Sequence, residues 1–187
     1  MSTTVWVAAG GGVLVLMFLW VIGTYNGLVR RRNRVRDAWA DIDAALKQRY
    51  DLIPNLVATV RGYAAHESAT LDAVTRARAM ALSAGGNAPA RAAAEAALDQ
   101  SLRSLTFVGE AYPQLQASGT FHQLMGQLGG IEETLQNARR YYNGTVRDYN
   151  TARERIPTVL VSGTLGFENA AFFEAGGAER TAPQVAF

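Results

Sequence analysis

Few residues of this sequence have the types and spacing that catalysis or metal binding requires. The 187-residue chain contains two histidines, His66 and His122, and no cysteine, which excludes disulfides, thiolate metal ligands and a cysteine nucleophile. The segment HESAT, which starts at His66, begins like a zinc-protease motif. That motif needs a second histidine four residues later, so that both side chains face one metal from the same side of a helix. Thr70 stands there instead, and the match fails.

Other catalytic patterns are also incomplete. The glycine pair at residues 85–86 lacks the Lys and Ser/Thr of a phosphate-binding loop, and no serine lies in a nucleophile elbow. Glu132 and Glu133 are adjacent, so on a helix they point in different directions. We therefore expect a protein that is not an enzyme and that has no catalytic, cofactor-binding or metal-ligating residue and no cofactor.

A different kind of polar site lies in the stretch QRYDLIPNLV, residues 48–57, inside an otherwise amphipathic helix pattern. Pro54 cannot donate a backbone hydrogen bond to the carbonyl of Tyr50, so the helix should bend or widen there. The freed carbonyl and the amide of Asn55 add polar groups at this point.

Two charges interrupt the apolar spacing of the same helix. Arg49 and Glu67 fall at positions where core residues are expected, and a buried charge must be paired and hydrogen-bonded. We predict that both find partners inside the domain or at an interface, with Asp51 as the nearest carboxylate for a cation. The stretch is either a satisfied helix kink with a register-setting ion pair or a polar notch that a partner protein uses. The structural or partner-interface candidates are Arg49, Asp51, Pro54, Asn55, Glu67, Tyr142, Asn143 and Asn150.

The elements that hold these residues begin with an apolar segment. From Thr4 to Gly23 the sequence contains no charged residue, and these 20 residues of helix would span about 30 Å, the thickness of a bilayer's hydrocarbon core. A cleaved signal peptide is the competing interpretation. However, the residues before the segment lack Lys and Arg, and no small-residue cleavage site follows it. We predict a transmembrane helix over residues 4–24.

The charges beside this segment predict its orientation. The formal net charge is only +2, but Arg30, Arg31, Arg32, Arg34 and Arg36 form a basic run directly after the apolar segment. Positive residues stay on the cytoplasmic side, so the N-terminus should lie outside and the C-terminal domain in the cytoplasm; the opposite orientation stays open. The run borders a membrane segment and is not interleaved with aromatic residues, which favours contact with anionic headgroups over nucleic acid.

Two further features of the segment concern its surroundings. Trp6, Trp20 and Tyr25 stand where interfacial aromatic residues would lie. Ala8 and Gly12 form a small-xxx-small pair that permits close packing of two membrane helices, although glycines are common in such helices for other reasons. The expected partners are therefore the lipid bilayer and a second copy of the chain in a homo-oligomer.

Beyond the membrane segment the sequence predicts an all-α fold. Apolar residues recur at three- and four-residue steps to about Leu82, where residues 83–89 interrupt them. A second helix ends near Pro113, and a third stops before Pro157. Short loops make neighbouring helices antiparallel. We predict an N-terminal transmembrane helix continuing into an up-and-down antiparallel bundle of three long helices, residues 25–157, plus a short C-terminal helix.

The C-terminal segment, residues 158–187, has another pattern. It mixes a short β-favouring run with glycines and a brief helical pattern around Ala170 to Glu174, where we place the short helix. Its aromatic residues predict that it packs on the bundle, because a solvated tail has no need of them. They are Phe167, Phe172, Phe173 and Phe187.

Three segments carry a resemblance to a known family. YNGLVRRRNRVRDAWADIDAALKQRYDLIPNLVATVRGYAAHE, residues 25–67, resembles the signature of the LemA family of bacterial membrane proteins. AYPQLQASGTFHQLMGQLGGIEETLQNARRYYNGTVRDYN, residues 111–150, resembles the family's third-helix region, and the FF pair with the closing PQVAF resembles its C-terminus. An Ala-rich, shortened stretch around residues 84–97 departs from the family pattern.

The resemblance implies an N-terminally anchored, single-pass helical-bundle protein of the bacterial cytoplasmic membrane, with no established enzymatic activity and no cofactor. The family is linked to envelope stress and to membrane-embedded metalloproteases of the HtpX type, and it has relatives in magnetosome membranes. Two function classes follow. The protein is a scaffold or adaptor whose bundle binds a membrane partner, such as a quality-control protease, or it is a structural protein that forms large homo-oligomers and shapes the membrane.

Overall fold

The computed structural model describes residues 2–85 and 88–173, and all regular structure in this part of the chain is helical. The helices are α1 (Ser2–Tyr63), α2 (Ser68–Ser83), α3 (Ala88–Ala111), α4 (Pro113–Gln116), α5 (Gly119–Glu154) and α6 (Val159–Ser162). No strand occurs among these residues. The predicted all-α fold with a long N-terminal helix is confirmed.

The N-terminal part of α1 is long and apolar enough to cross a membrane. Its large apolar side chains from Trp6 to Leu19 are between 57% and 77% exposed. A contiguous apolar surface of this size is typical of a segment that contacts lipid or another protein.

The chain forms two compact units, and α1 and α5 contribute to both. The first unit contains the chain up to Trp39 together with Tyr142–Ala170, and the second contains Ala40–Tyr141 together with residues 171–173. The predicted division into residues 4–24, 25–157 and 158–187 rests on the membrane segment and stays a prediction.

The second unit is an up-and-down helical bundle. Glu67, just before α2, accepts a hydrogen bond of 3.1 Å from the hydroxyl of Tyr112, just after α3, so these two helices are antiparallel. The guanidinium of Arg91 near the start of α3 contacts the carboxylate of Asp43 on α1 at 2.8 Å. Branched apolar residues fill the core, and the largest fully buried ones are Ile42, Leu46, Ile53, Leu56, Leu71, Leu98, Leu105, Leu115 and Leu135.

Helix α1 ends at Tyr63 and does not continue through α2 as the apolar spacing predicted. The amide of Glu67 donates to the carbonyl of Ala64 at 3.1 Å and closes a turn. Val60 before the turn and Leu71 after it are both buried. Both helices bury their apolar residues in the same core, so the three- and four-residue spacing persists across the turn. The sequence pattern therefore does not show where the chain reverses.

In the first unit two ring contacts join α1 to the C-terminal part of the chain. Trp39 meets Tyr142 edge to face, with ring centroids 5.3 Å apart. Nearer the apolar segment, the ring of Tyr25 lies 5.5 Å from that of Phe167. Helix α5 thus runs alongside α1 toward the apolar segment, and it ends at Glu154, before Pro157 as predicted.

The short C-terminal helix lies at Val159–Ser162, upstream of its predicted position. Residues 170–173 are not helical, and Glu174 and Phe187 lie outside the described residues. The β-favouring run that starts at Thr158 forms part of α6, because β-preference has little effect where no neighbouring strand is available to pair. Phe167 and Phe173 are buried in their respective units, whereas Phe172 is partly exposed.

The return of the chain after α6 depends on Gly166. Its φ of +73° lies in the left-handed region that side chains with a Cβ avoid. The amide of Phe167 then donates to the carbonyl of Ser162 at 3.1 Å, which aims the Phe167 ring into the first unit.

Replacing Gly166 with Ala should lower the free energy of unfolding by about 1 kcal/mol, since alanine disfavours a positive φ. Gly163→Ala is the matched control: Gly163 has φ −65°, and an added Cβ would meet nothing within 4 Å. Urea unfolding in detergent micelles measures both variants. Equal stability of the two would contradict the turn's dependence on Gly166.

Candidate functional site

The most distinctive polar site lies in the second unit and is centred on Arg49 of α1. Arg49 is only 2% exposed. Its Nη1 lies 3.0 Å from Oε2 of Glu95, and its Nη2 lies 3.4 Å from Oε2 of Glu132 and also donates to Asp99. One guanidinium therefore joins α1 to two acidic residues of α3 and one of α5.

Glu95 is the most deeply buried acidic residue of the site, with 1% of its surface exposed. Its second oxygen accepts a hydrogen bond from the hydroxyl of Tyr50. Asp99 and Glu132 retain 24% and 31% side-chain exposure and so stay in contact with water. We name Arg49, Tyr50, Glu95, Asp99 and Glu132 the arginine cluster.

Burial and neighbouring charges both shift the pKa values of the arginine cluster, and for Arg49 and Glu95 they act in opposite directions. Burial by itself would lower the pKa of Arg49, but the charges of Asp99 and Glu132 outweigh it, so the pKa is raised and the guanidinium stays charged. The pKa of Glu95 is raised because burial disfavours its ionised form, even though Tyr50 and Arg49 act in the other direction. Burial also raises the pKa of Tyr50, which keeps its hydroxyl a hydrogen-bond donor.

A second arginine satisfies the backbone carbonyl that Pro54 leaves without a hydrogen-bond donor. The carbonyl of Tyr50 lies four residues before Pro54 and so lacks its usual helical donor. Nε of Arg78, on α2, donates to this carbonyl at 2.7 Å. Helix α1 remains α-helical through Pro54, and the predicted bend stays a prediction.

The residues of the predicted notch do not lie together. Asp51, Pro54 and Asn55 are exposed, whereas Arg49 is buried. The expectation that Asp51 would be the carboxylate nearest to Arg49 was wrong. Residues two apart on a helix point in different directions, and Arg49 instead meets acidic residues of other helices.

Other candidates hold the chain together locally. Glu67 is half-buried and accepts the hydrogen bond from Tyr112 described above. Tyr142 is buried against Trp39 in the first unit, and Asn143 beside it is half-buried. The side-chain amide of Asn150 forms two hydrogen bonds of 3.0 Å, one with each backbone group of Ala170.

The candidates near the apolar segment are accessible. Ala8 and Gly12 are exposed, and a Cβ added to Gly12 would meet no atom within 4 Å. Arg32 lies half-buried with its guanidinium 5.2 Å from the centre of the Phe167 ring, a cation–π contact. The other arginines of the basic run are exposed, namely Arg30, Arg31, Arg34 and Arg36.

Sequence reasoning missed most of the arginine cluster. Glu95 precedes Leu98 by three residues and Leu102 by seven, so it occupies a core position of α3 just as Arg49 does in α1. That spacing could have identified Glu95. Asp99, Glu132 and Arg78 give no such signal, because they lie half-buried at the edges of their helices.

The geometry favours a structural role for the arginine cluster. Its acidic residues surround a guanidinium, and in the described part of the chain no group of three or more His, Cys, Asp or Glu residues could hold a metal ion.

A shallow groove of about 420 Å³ lies nearby on the same unit, between α1 and α5. Its lining includes Ala44, Ala45, Ala138 and Tyr141.

Comparisons with known proteins found one family model and two relatives that match this chain. The sequence model of the LemA family matches residues 38–187, which include the whole arginine cluster. Protein LemA of Metamycoplasma hominis is 26% identical over 159 residues, covering 85% of this chain and 73% of that protein. Magnetosome protein MamQ of Magnetospirillum gryphiswaldense is 22% identical over 200 residues, covering 92% of this chain and 74% of that protein.

Arg49→Leu should lower the free energy of unfolding by about 3 kcal/mol or more at neutral pH, because Glu95 would stay buried without its cation. Arg49→Leu combined with Glu95→Gln should recover part of this loss. Arg61→Leu, at an exposed position of α1, is the control. Urea unfolding in detergent provides the measurement. A stable Arg49→Leu bundle that no longer binds a partner would favour the notch interpretation instead.

The raised pKa of Glu95 predicts a pH dependence of stability. The folded state holds this proton more tightly than the unfolded state, whose pKa is near 4.5. The contribution of Glu95 to stability is therefore complete below that pH and declines as the pH rises through the folded-state pKa. The free energy of unfolding of the wild type, relative to that of Glu95→Gln, should fall over this range. Glu133→Gln, at an exposed position of α5, is the control, and a difference that rises with pH would refute the assignment.

Proposed function

We propose the following function, because this chain belongs to the LemA family. The protein acts as a non-enzymatic scaffold or adaptor that its N-terminal helix anchors in the cytoplasmic membrane. Its helical bundle binds a membrane partner from the protein quality-control or envelope-stress systems. A membrane-embedded metalloprotease of the HtpX type is the partner class we propose to test first.

The exposed apolar part of α1 is the observation that carries this proposal. Apolar side chains from Trp6 to Leu19 stand free in one unbroken helix that ends at Tyr63, within the bundle. A bilayer would bury this surface over its whole length. The exposed arginines that follow it favour an N-terminus outside and a bundle in the cytoplasm.

The arginine cluster supports a non-enzymatic function. Its charged groups contact one another across α1, α3 and α5, and its two most buried charged residues, Arg49 and Glu95, are no more than 2% exposed. A catalytic group must reach a substrate, and these two are enclosed. Their geometry fits the task of holding three helices together.

The surface of α1 offers the partner site that we propose. Asp51, Pro54 and Asn55 recur at helical spacing along its exposed side. The groove between α1 and α5 adds small alanines and Tyr141, whose ring is 54% exposed. Aromatic side chains beside small residues are suited to receive a partner helix or loop.

A self-assembling structural protein is the second candidate. Gly10, Gly11 and Gly12 are open to a close neighbour, because a Cβ added to each would meet nothing within 4 Å. Together with Ala8 they would permit tight packing of two copies in the membrane. The similarity to a magnetosome protein supports a function in organising membranes.

Cross-linking in intact membranes, followed by purification in mild detergent, tests both candidates. We expect the full chain to purify with one other membrane protein in a fixed ratio, measured as complex mass and protein content. A triple exchange of Asp51, Pro54 and Asn55 to Ala should reduce that recovery several-fold, while Arg61→Ala, also exposed on α1, should not. A ladder of the protein with itself would instead favour self-assembly. A single uncross-linked species would contradict both.

A further inference from the structure

An exposed apolar corner lies between α5 and α6. Ile156 is 85% exposed, more than any other large apolar side chain that the structure describes. Leu160 is 73% exposed and Val159 is 44% exposed. We name these three residues the apolar corner. Single exposed apolar residues are ordinary, but here three large apolar residues within five positions are all exposed.

The apolar corner belongs to the same compact unit as the membrane segment, and its level can be calculated. From the ring contact between Trp39 and Tyr142, α5 continues for 11 residues to Arg153, or about 16 Å at 1.5 Å per residue. Counting the same distance back along α1 places Arg153 level with about Leu28. The corner comes directly after this point, close to where the apolar segment of α1 ends.

Side-chain contacts fix the corner at this level. Phe167, just after α6, touches Tyr25 and Arg32, the first of which stands two residues beyond the apolar segment. Nη1 of Arg153 lies 3.4 Å from the carbonyl of Phe167, and the hydroxyl of Ser162 donates to the carbonyl of Arg153 at 3.2 Å. Phe167 therefore connects the turn that carries the corner to α1 just beyond the apolar segment, and Arg153 and Ser162 hold the two ends of the turn together.

The charge around the corner suits an anionic lipid surface. The residues of the first unit include eight arginines and four acidic residues, which gives it a net charge of +4. Arg155 is exposed beside Ile156, and four arginines of the basic run are exposed on α1. Arginines near a membrane surface attract acidic lipids, and apolar side chains next to them can enter the headgroup layer.

We propose that the apolar corner is a second membrane contact of this protein. Ile156, Val159 and Leu160 enter the headgroup layer on the side where α1 leaves the bilayer. The exposed arginines nearest to this level attract acidic headgroups around them, namely Arg30, Arg31 and Arg155. The proposal rests on the proposed membrane anchor. A lipid surface is favoured over a protein occupant because the corner continues the apolar segment at the same level and the surrounding charge is positive.

Such a contact would give the domain a fixed orientation. A single membrane helix lets the domain attached to it rotate and tilt, whereas a second contact beside the first restricts both movements. The first unit would then keep one orientation relative to the membrane, which suits an adaptor for a membrane protein.

The natural lack of cysteine allows a direct test on the full chain. Single-cysteine variants Ile156→Cys, Leu160→Cys, Leu19→Cys and Asp37→Cys are labelled with a polarity-sensitive fluorophore and reconstituted in phosphatidylcholine and phosphatidylglycerol vesicles. Asp37 is exposed in the same unit, about 20 Å beyond Gly23 along α1 and so outside the headgroup layer. Leu19 reports on the membrane segment itself.

We expect quencher-labelled lipids to reduce the fluorescence at positions 156 and 160 several-fold more than at position 37, with a smaller effect when phosphatidylglycerol is omitted. Quenching at position 19 but none at 156 and 160 would overturn the second contact and leave the anchor intact. No quenching at position 19 would overturn the anchor and the second contact with it. Labels at 156 and 160 shielded from lipid and aqueous quenchers alike would point to a protein on the corner and overturn the proposal.

Discussion

A charged guanidinium in the middle of a helical core is the constraint around which the second unit is built. Burying the charge of Arg49 would strongly destabilise the fold without its acidic partners, and burying Glu95 would do the same without Arg49 and Tyr50. The acidic partners come from two later helices, α3 and α5, so these contacts join three separate stretches of the chain. In the arrangement that the structure shows, the guanidinium of Arg49 is paired with all three carboxylates.

The same principle explains Arg78 and Pro54. A proline in the interior of a helix leaves a carbonyl without a donor, and that carbonyl would destabilise the core if it stayed unsatisfied. The side chain of a neighbouring helix provides the donor. The bundle therefore contains two polar arrangements one residue apart in sequence, at Arg49 and at the Tyr50 carbonyl, and both are satisfied by helices that arrive later in the chain.

The first unit combines a different set of forces. An edge-to-face ring contact, a cation–π contact and the paired amide of Asn150 attach the segment after α6 to α1 and α5. Its exposed surface includes apolar side chains along α1, the apolar corner and several arginines. Large apolar side chains next to arginines suit the boundary between a bilayer and water.

The sequence by itself determined the helical class, the long apolar N-terminal segment, the family and one position, Arg49, where a charge enters the core of α1. These features depend on local periodicity and composition, which any stretch of chain displays by itself. It did not reveal the turn at Ala64–Glu67, because apolar spacing continues through it, and it placed the short C-terminal helix too late. Nor could it identify the partners of Arg49: Asp51 is near in sequence but on another face, whereas Glu95 and Glu132 are 46 and 83 residues away in sequence. Only the packing of the helices brings those acidic residues to the arginine, because burial and pairing are properties of several helices together.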